Sequence, residues 1–97
     1  MAYISEKLRK SANGKDCTLN IAGVCNYDRR TVVLAHINTD FGKMGGKSDD
    51  YSACFACSSC HTHLDTNKLD SNDELFYTRR ALVRTWRIWF NEGYIHE

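Results

Sequence analysis

Apolar and polar positions along the chain group into five short periodic stretches, separated by breaks rich in glycine and polar residues. Residues 5–12 read as a short helix, which Asn13 and Gly14 end by accepting a left-handed backbone. Residues 31–37, Thr-Val-Val-Leu-Ala-His-Ile, are β-branched and apolar and predict a strand with His36 near its end. Residues 51–56 predict a second strand, which would form a hairpin with the first. Ser58 or Ser59 is a competent N-cap for a helix that follows at once. Residues 72–91 predict a long helix, with Asp73 and Glu74 favouring its first turn and Gly93 ending it. On that helix Leu75, Leu82, Val83, Trp86, Trp89 and Phe90 recur at three- and four-residue steps. They predict an apolar stripe packed on the core, with the arginines solvated on the opposite face.

Residues 38–50 are polar and glycine-rich, with Gly42-Lys43 and Gly45-Gly46-Lys47. An ordered domain usually keeps so long a loop for binding or leaves it mobile. The G-x4-G-K-[ST] spacing of a phosphate-cradling loop is absent, which excludes that kind of nucleotide binding. At 97 residues the chain is expected to be one α+β domain, residues 1–97, small enough to gain from a metal staple. Hydrophobic content of 42% and charged content of 26% are ordinary for a folded protein. No apolar run reaches the length of a membrane span, and the first residues lack the apolar core of a signal peptide. The expectation is a cytoplasmic protein with no membrane partner, whose thiols stay reduced. A net charge of +1 excludes a globally basic coat, although Lys7, Arg9, Lys10 and Lys15 cluster early and Arg79, Arg80, Arg84 and Arg87 cluster late.

Reduced thiols give the cysteines their meaning. Cys17-x7-Cys25 and Cys57-x2-Cys60 are two spaced pairs, and a C-x2-C step lets both thiolates face one cation while a distant pair completes a tetrahedral sulfur shell. This spacing predicts structural Zn2+, with Gly23 supplying permissive backbone in the first loop. The odd fifth cysteine, Cys54, also makes a C-x2-C step with Cys57, so spacing alone leaves the second pair open by three residues. Just beyond it, His61 and Asp65 lie four positions apart and project from one helix face, where two ligands can share a cation. His63 points off that face.

The succession Gly23-Val24-Cys25-Asn26, Ala35-His36-Ile37 and Ala56-Cys57-Ser58-Ser59-Cys60-His61 resembles the HNH, or ββα-metal, nucleases, and is similar to small phage and prophage proteins of that kind, over about residues 14–66. The resemblance implies a zinc-stapled ββα-metal core over those residues, followed by the C-terminal helix, and it selects Cys57 and Cys60 as the second zinc pair. It implies that His36 is the general base, and that His61 and Asp65 hold a catalytic Mg2+ or another divalent ion. The implied function is a metal-dependent endonuclease that hydrolyses DNA in phage recombination or processing inside a bacterial host. DNA, and phage or host recombination proteins, are then the expected partners, with Lys43, Lys47, Arg79 and Arg84 as candidate phosphate contacts. The chain departs from the family pattern twice. Ala35 stands where a metal ligand often precedes the base, and the asparagine that orients the base is missing, with Asp49, Asp50 and Ser52 the nearest replacements. Those departures keep an alternative in view: a non-catalytic, zinc-stabilised module that binds nucleic acid or protein.

Overall fold

A computed structural model describes residues 3–37 and 49–95. Helix α1, Glu6–Ser11, begins where the Ser5 hydroxyl accepts from the Leu8 N–H at 3.3 Å, and the chain turns away at Gly14 with φ +74°. A loop then carries the first two cysteines through Gly23, whose φ of +76° is the left-handed conformation expected of it. Asp28 caps a single 3-10 turn, Arg29–Thr31, by accepting from the Arg30 N–H at 3.0 Å. That turn occupies the first residues of the expected strand, so β1 starts only at Val33 and runs Val33–His36.

Strand β2, Ala53–Ala56, is antiparallel to β1, with Val33 opposite Ala56 and His36 opposite Ala53. Its expected start at residue 51 is taken by a turn in which the Ser52 N–H donates to the Asp49 carbonyl. A two-stranded ribbon is marginal in water by itself, so it must be covered. Every residue of β2 is buried. Its outer edge is closed by the loop, where the Thr18 N–H donates to the Phe55 carbonyl at 2.8 Å and the Phe55 N–H donates to the Thr18 hydroxyl at 3.0 Å. The Thr85 hydroxyl, reaching in from the last helix, sits 2.8 Å from that of Thr18.

Helix α2, Ser58–Asp65, follows β2 directly, and its N-cap is Cys57. The expected caps, Ser58 and Ser59, instead lie inside the first turn, because the Cys57 sulfur accepts the Cys60 N–H at 3.4 Å and so performs the cap. Helix α3, Ser71–Asn91, starts where Asp70 accepts from the Asp73 N–H at 2.8 Å and ends at Gly93, φ +83°.

The face that α3 buries differs from the expected stripe. Thr78, Ala81, Thr85 and Trp89 are buried, whereas Leu75, Val83, Trp86 and Phe90 are 55%, 47%, 41% and 60% exposed. Small and hydroxylated residues win the inner face because the helix lies close against the edge of β2, where Thr85 meets Thr18 and Phe55. A bulkier side chain would hold the helix off. Trp89 is the one large residue inside, packing edge-to-face on Phe55 at 6.0 Å and donating its Nε1 proton to the Ser11 hydroxyl at 2.6 Å. Leu8, Leu19, Ile21, Val32 and Ala35 complete this core. Among the described residues no helix is long and apolar enough to cross a membrane.

Candidate metal centre and active site

Two chain segments bring the cysteines together. Cys17 and Cys25 come from the loop after α1, and Cys57 and Cys60 from the junction of β2 with α2. Their four sulfurs all lie within 4.8 Å of one another, and among the described residues they are the one cluster of three or more such ligands that can hold a metal ion. The Cys25 and Cys57 sulfurs are 3.9 Å apart. Tetrahedral thiolate coordination at about 2.3 Å would space them by about 3.8 Å, so the donor set fits such an ion.

Backbone N–H groups already point at these sulfurs. Asn20 and Cys57 donate to the Cys17 sulfur at 3.2 and 3.3 Å, and Ile21 donates to that of Cys60 at 3.3 Å. Donors of this kind stabilise thiolate negative charge around a metal. In the metal-free chain, burial pushes the Cys25 thiol up to about 11 and raises Cys60 as well. Burial also opposes ionisation of Cys57, but N–H groups of Asn26 and Cys60 and the neighbouring thiols outweigh it and bring Cys57 down to about 7. Cys54 stands outside the cluster, on β2, fully buried, its thiol pushed up to about 12 by that burial.

The second constellation lies at the end of β1. The His36 Nε2 is 2.8 Å from Oδ1 of Asp50, a fully buried carboxylate that also accepts from the Ser5 N–H at 2.7 Å and from Arg9 Nε at 2.9 Å. Burial disfavours charge on Asp50, yet the Ser5 N–H, His36 and Arg9 together hold its carboxyl below the ordinary value. An ionised carboxylate only accepts, so the Nε2 of His36 carries the proton of this bond. No side chain or backbone group among the described residues engages Nδ1.

His36 lines a cleft of about 240 Å³ together with Asp65, Leu64, Glu74 and Thr78. His61 is not among the residues that line it, but its Nε2 lies 3.2 Å from Asp65 Oδ2 on the same face of α2. Their side chains are 35% and 62% exposed, so water and a ligand can reach both. Among the described residues no third histidine, cysteine or carboxylate closes a compact set with this pair. Ala35 is fully buried opposite Cys54, pointing its methyl group into the core.

Arg79 and Arg84 do not reach this cleft. They line a separate groove on the outer side of α3, while Glu74 and Thr78 line the cleft. Lys43 and Lys47 lie outside the described residues. Of the three residues nearest to replacing the orienting asparagine, Asp50 is the one bonded to His36. The sequence offered a signal for this, because antiparallel pairing sets the residues just before β2 beside the end of β1. Arg9 and Glu74 offered none, since nothing local ties either to a histidine far away in the chain.

The family model described as "Putative nuclease YbcO" matches residues 6–94. A protein of Escherichia coli strain K12 and one of Enterobacteria phage 82, both carrying that same description, are each 41% identical over 91 residues, covering 91% of this chain and 95% of the relative. A solved structure described as "Structure of a putative bacteriophage protein from Escherichia coli str. K-12 substr. MG1655" superposes with a TM-score of 0.73 at 36% identity, over 90% of this chain and all of that one.

Proposed function

Because the chain belongs to the family described as "Putative nuclease YbcO", we propose that it is an HNH-type, metal-dependent endonuclease that hydrolyses phosphodiester bonds of DNA. The observation that carries this reading is the hydrogen bond from His36 to Asp50, with Asp65 lining the same small cleft as His36 and His61 3.2 Å from Asp65. The element order β1, β2, α2 supports it as well.

Asp50 fixes the ring of His36 and its tautomer, leaving Nδ1 to take the proton of a water that attacks phosphorus. The buried carboxylate then stabilises the imidazolium that results. His61 and Asp65 are the residues that would hold a divalent ion, with water and a substrate phosphate completing its shell. When bound, such an ion neutralises charge on the scissile phosphate and on the 3′-oxygen leaving group. The four cysteines would hold structural zinc, which ties the loop bearing Cys17 and Cys25 to the start of α2, the helix that carries His61 and Asp65. The existence of a phage relative is in keeping with a role in phage DNA recombination or processing.

The buried Ala35 favours a second reading, in which the scaffold binds DNA or protein without cutting. Plasmid, single-stranded and branched DNA incubated with Mg2+, Mn2+ or Zn2+ in turn separates the two. Cleavage that depends on the added ion supports the nuclease, and intact DNA under every condition leaves the binding module.

A further inference from the structure

Helix α3 turns its small residues inward and leaves a second apolar surface outside. Leu75, Val83, Trp86 and Phe90 fall at steps of three, four or eight residues along its outer side, with Phe76 beside them, and all five are exposed. Single exposed apolar residues are ordinary, but a contiguous row marks an interaction site. Between them a groove of about 550 Å³ is lined by Leu75, Phe76 and Val83 and by four arginines, with no carboxylate among its lining residues. Arg80 serves the fold, donating to the Leu19 and Asn20 carbonyls while lying 5.1 Å from the Phe76 ring and 5.2 Å from that of Tyr77. Arg79, Arg84 and Arg87 are exposed and make no ion pair or side-chain hydrogen bond among the described residues.

We propose that this outer face of α3 docks an acidic amphipathic helix of a partner protein. Apolar side chains of that helix would sit on Leu75, Phe76 and Val83, and flanking carboxylates would meet Arg79, Arg84 and Arg87, where a planar guanidinium binds carboxylate in two-pronged fashion. Charge complementarity selects this occupant. A second copy of the chain would press the same arginines against their own kind, which costs affinity. Nucleic acid would use the arginines but would leave aliphatic Leu75 and Val83 without a role, because bases stack on aromatic rings and phosphates take polar donors. The face is also turned away from the His36 cleft, so it can hold a partner while the cleft is occupied.

The probe is a labelled synthetic helical peptide with a leucine and tryptophan stripe flanked by glutamates, followed by fluorescence anisotropy, with the same peptide bearing lysines as the control. The acidic peptide should bind at least tenfold more tightly than the lysine peptide. Leu75→Ser combined with Val83→Ser should weaken it at least tenfold with helix content and bound metal unchanged. Arg79→Glu, Arg84→Glu and Arg87→Glu together should reverse the preference. Equal binding of the two peptides would overturn the proposal. So would a single-stranded oligonucleotide whose binding falls with the arginine changes and ignores the serine changes, or a dimer in sedimentation that Val83→Glu disperses.

Discussion

The Nε2 of His36 and the Oδ1 of Asp50 are 2.8 Å apart, and that single bond joins the end of β1 to the N-terminal helix, because Asp50 is held in turn by Ser5 and Arg9. Replacing the carboxylate with its neutral isostere tests both roles. Asp50→Asn turns an amide toward donors that need an acceptor, which should cost about 1–3 kcal/mol in a thermal melt. Cleavage should fall at least tenfold, through loss of the ring's orientation. An unchanged melting temperature would remove Asp50 from the fold's support.

Asp50 also sets an acid limit. Its carboxyl is held below the ordinary value of 3.8 in the folded chain, so the unfolded chain binds the proton more readily. Its contribution is therefore complete above about pH 4 and is lost as the pH falls through the lowered value. Denaturation by acid should be shallower in Asp50→Asn than in the parent below pH 4, measured by circular dichroism against pH.

His36→Ala removes one of three donors to Asp50 and leaves the Ser5 and Arg9 bonds in place. The cost to stability should be about 1 kcal/mol, and metal content should not change. Any DNA cleavage should drop on the order of a hundredfold or more, as loss of a general base does. Cleavage at the parental rate would assign this histidine to structure alone.

For the cysteine centre, metal analysis of purified protein should find one zinc per chain. Cys57→Ser should be harsher than an ordinary thiol loss, because Cys57 supplies a sulfur to the cluster and also caps α2. Removal of the metal by a strong chelator should melt the chain at room temperature, since such ions supply much of a small domain's folding free energy. Folded protein free of metal would refute the assignment.

The burial of α3 is checked by two truncations of similar size. Trp89→Ala should cost about 3–5 kcal/mol, because it empties the centre of the core and frees Ser11. Phe90→Ala, one residue on, removes a ring that is 60% exposed and should lie within about 0.5 kcal/mol of the parent. Equal losses would return Phe90 to the core.

Local chemistry was legible in the sequence. Gly14, Gly23 and Gly93 stand where the backbone takes positive φ, and the two cysteine pairs meet as their spacing implies. Of the three residues expected in one cleft, His36 and Asp65 line it and His61 does not. What the sequence concealed was set by partners far away in the chain. Periodicity marks a helix with apolar residues but does not say which side faces inward when both sides carry them. On α3 that choice was made by Thr18 and Phe55, whose polar groups at the edge of β2 needed the hydroxyl of Thr85. The N-cap of α2 was hidden because cysteine is not among the usual capping residues, and only the fold shows the Cys57 sulfur accepting the Cys60 N–H.

The bond from Trp89 to Ser11 spans 78 residues, nearly the whole chain. At roughly 5–20 residues per second of synthesis, about 4–16 s separate the two ends as the chain is made. Until Trp89 is made, the early helix and, once synthesised, the strands lack the ring that fills their core, and their apolar faces stand open inside a crowded cell. Completion is therefore a terminal event in biosynthesis: a nascent chain arrested before Trp89 is a ward of chaperones, and a message truncated there yields a substrate for proteases.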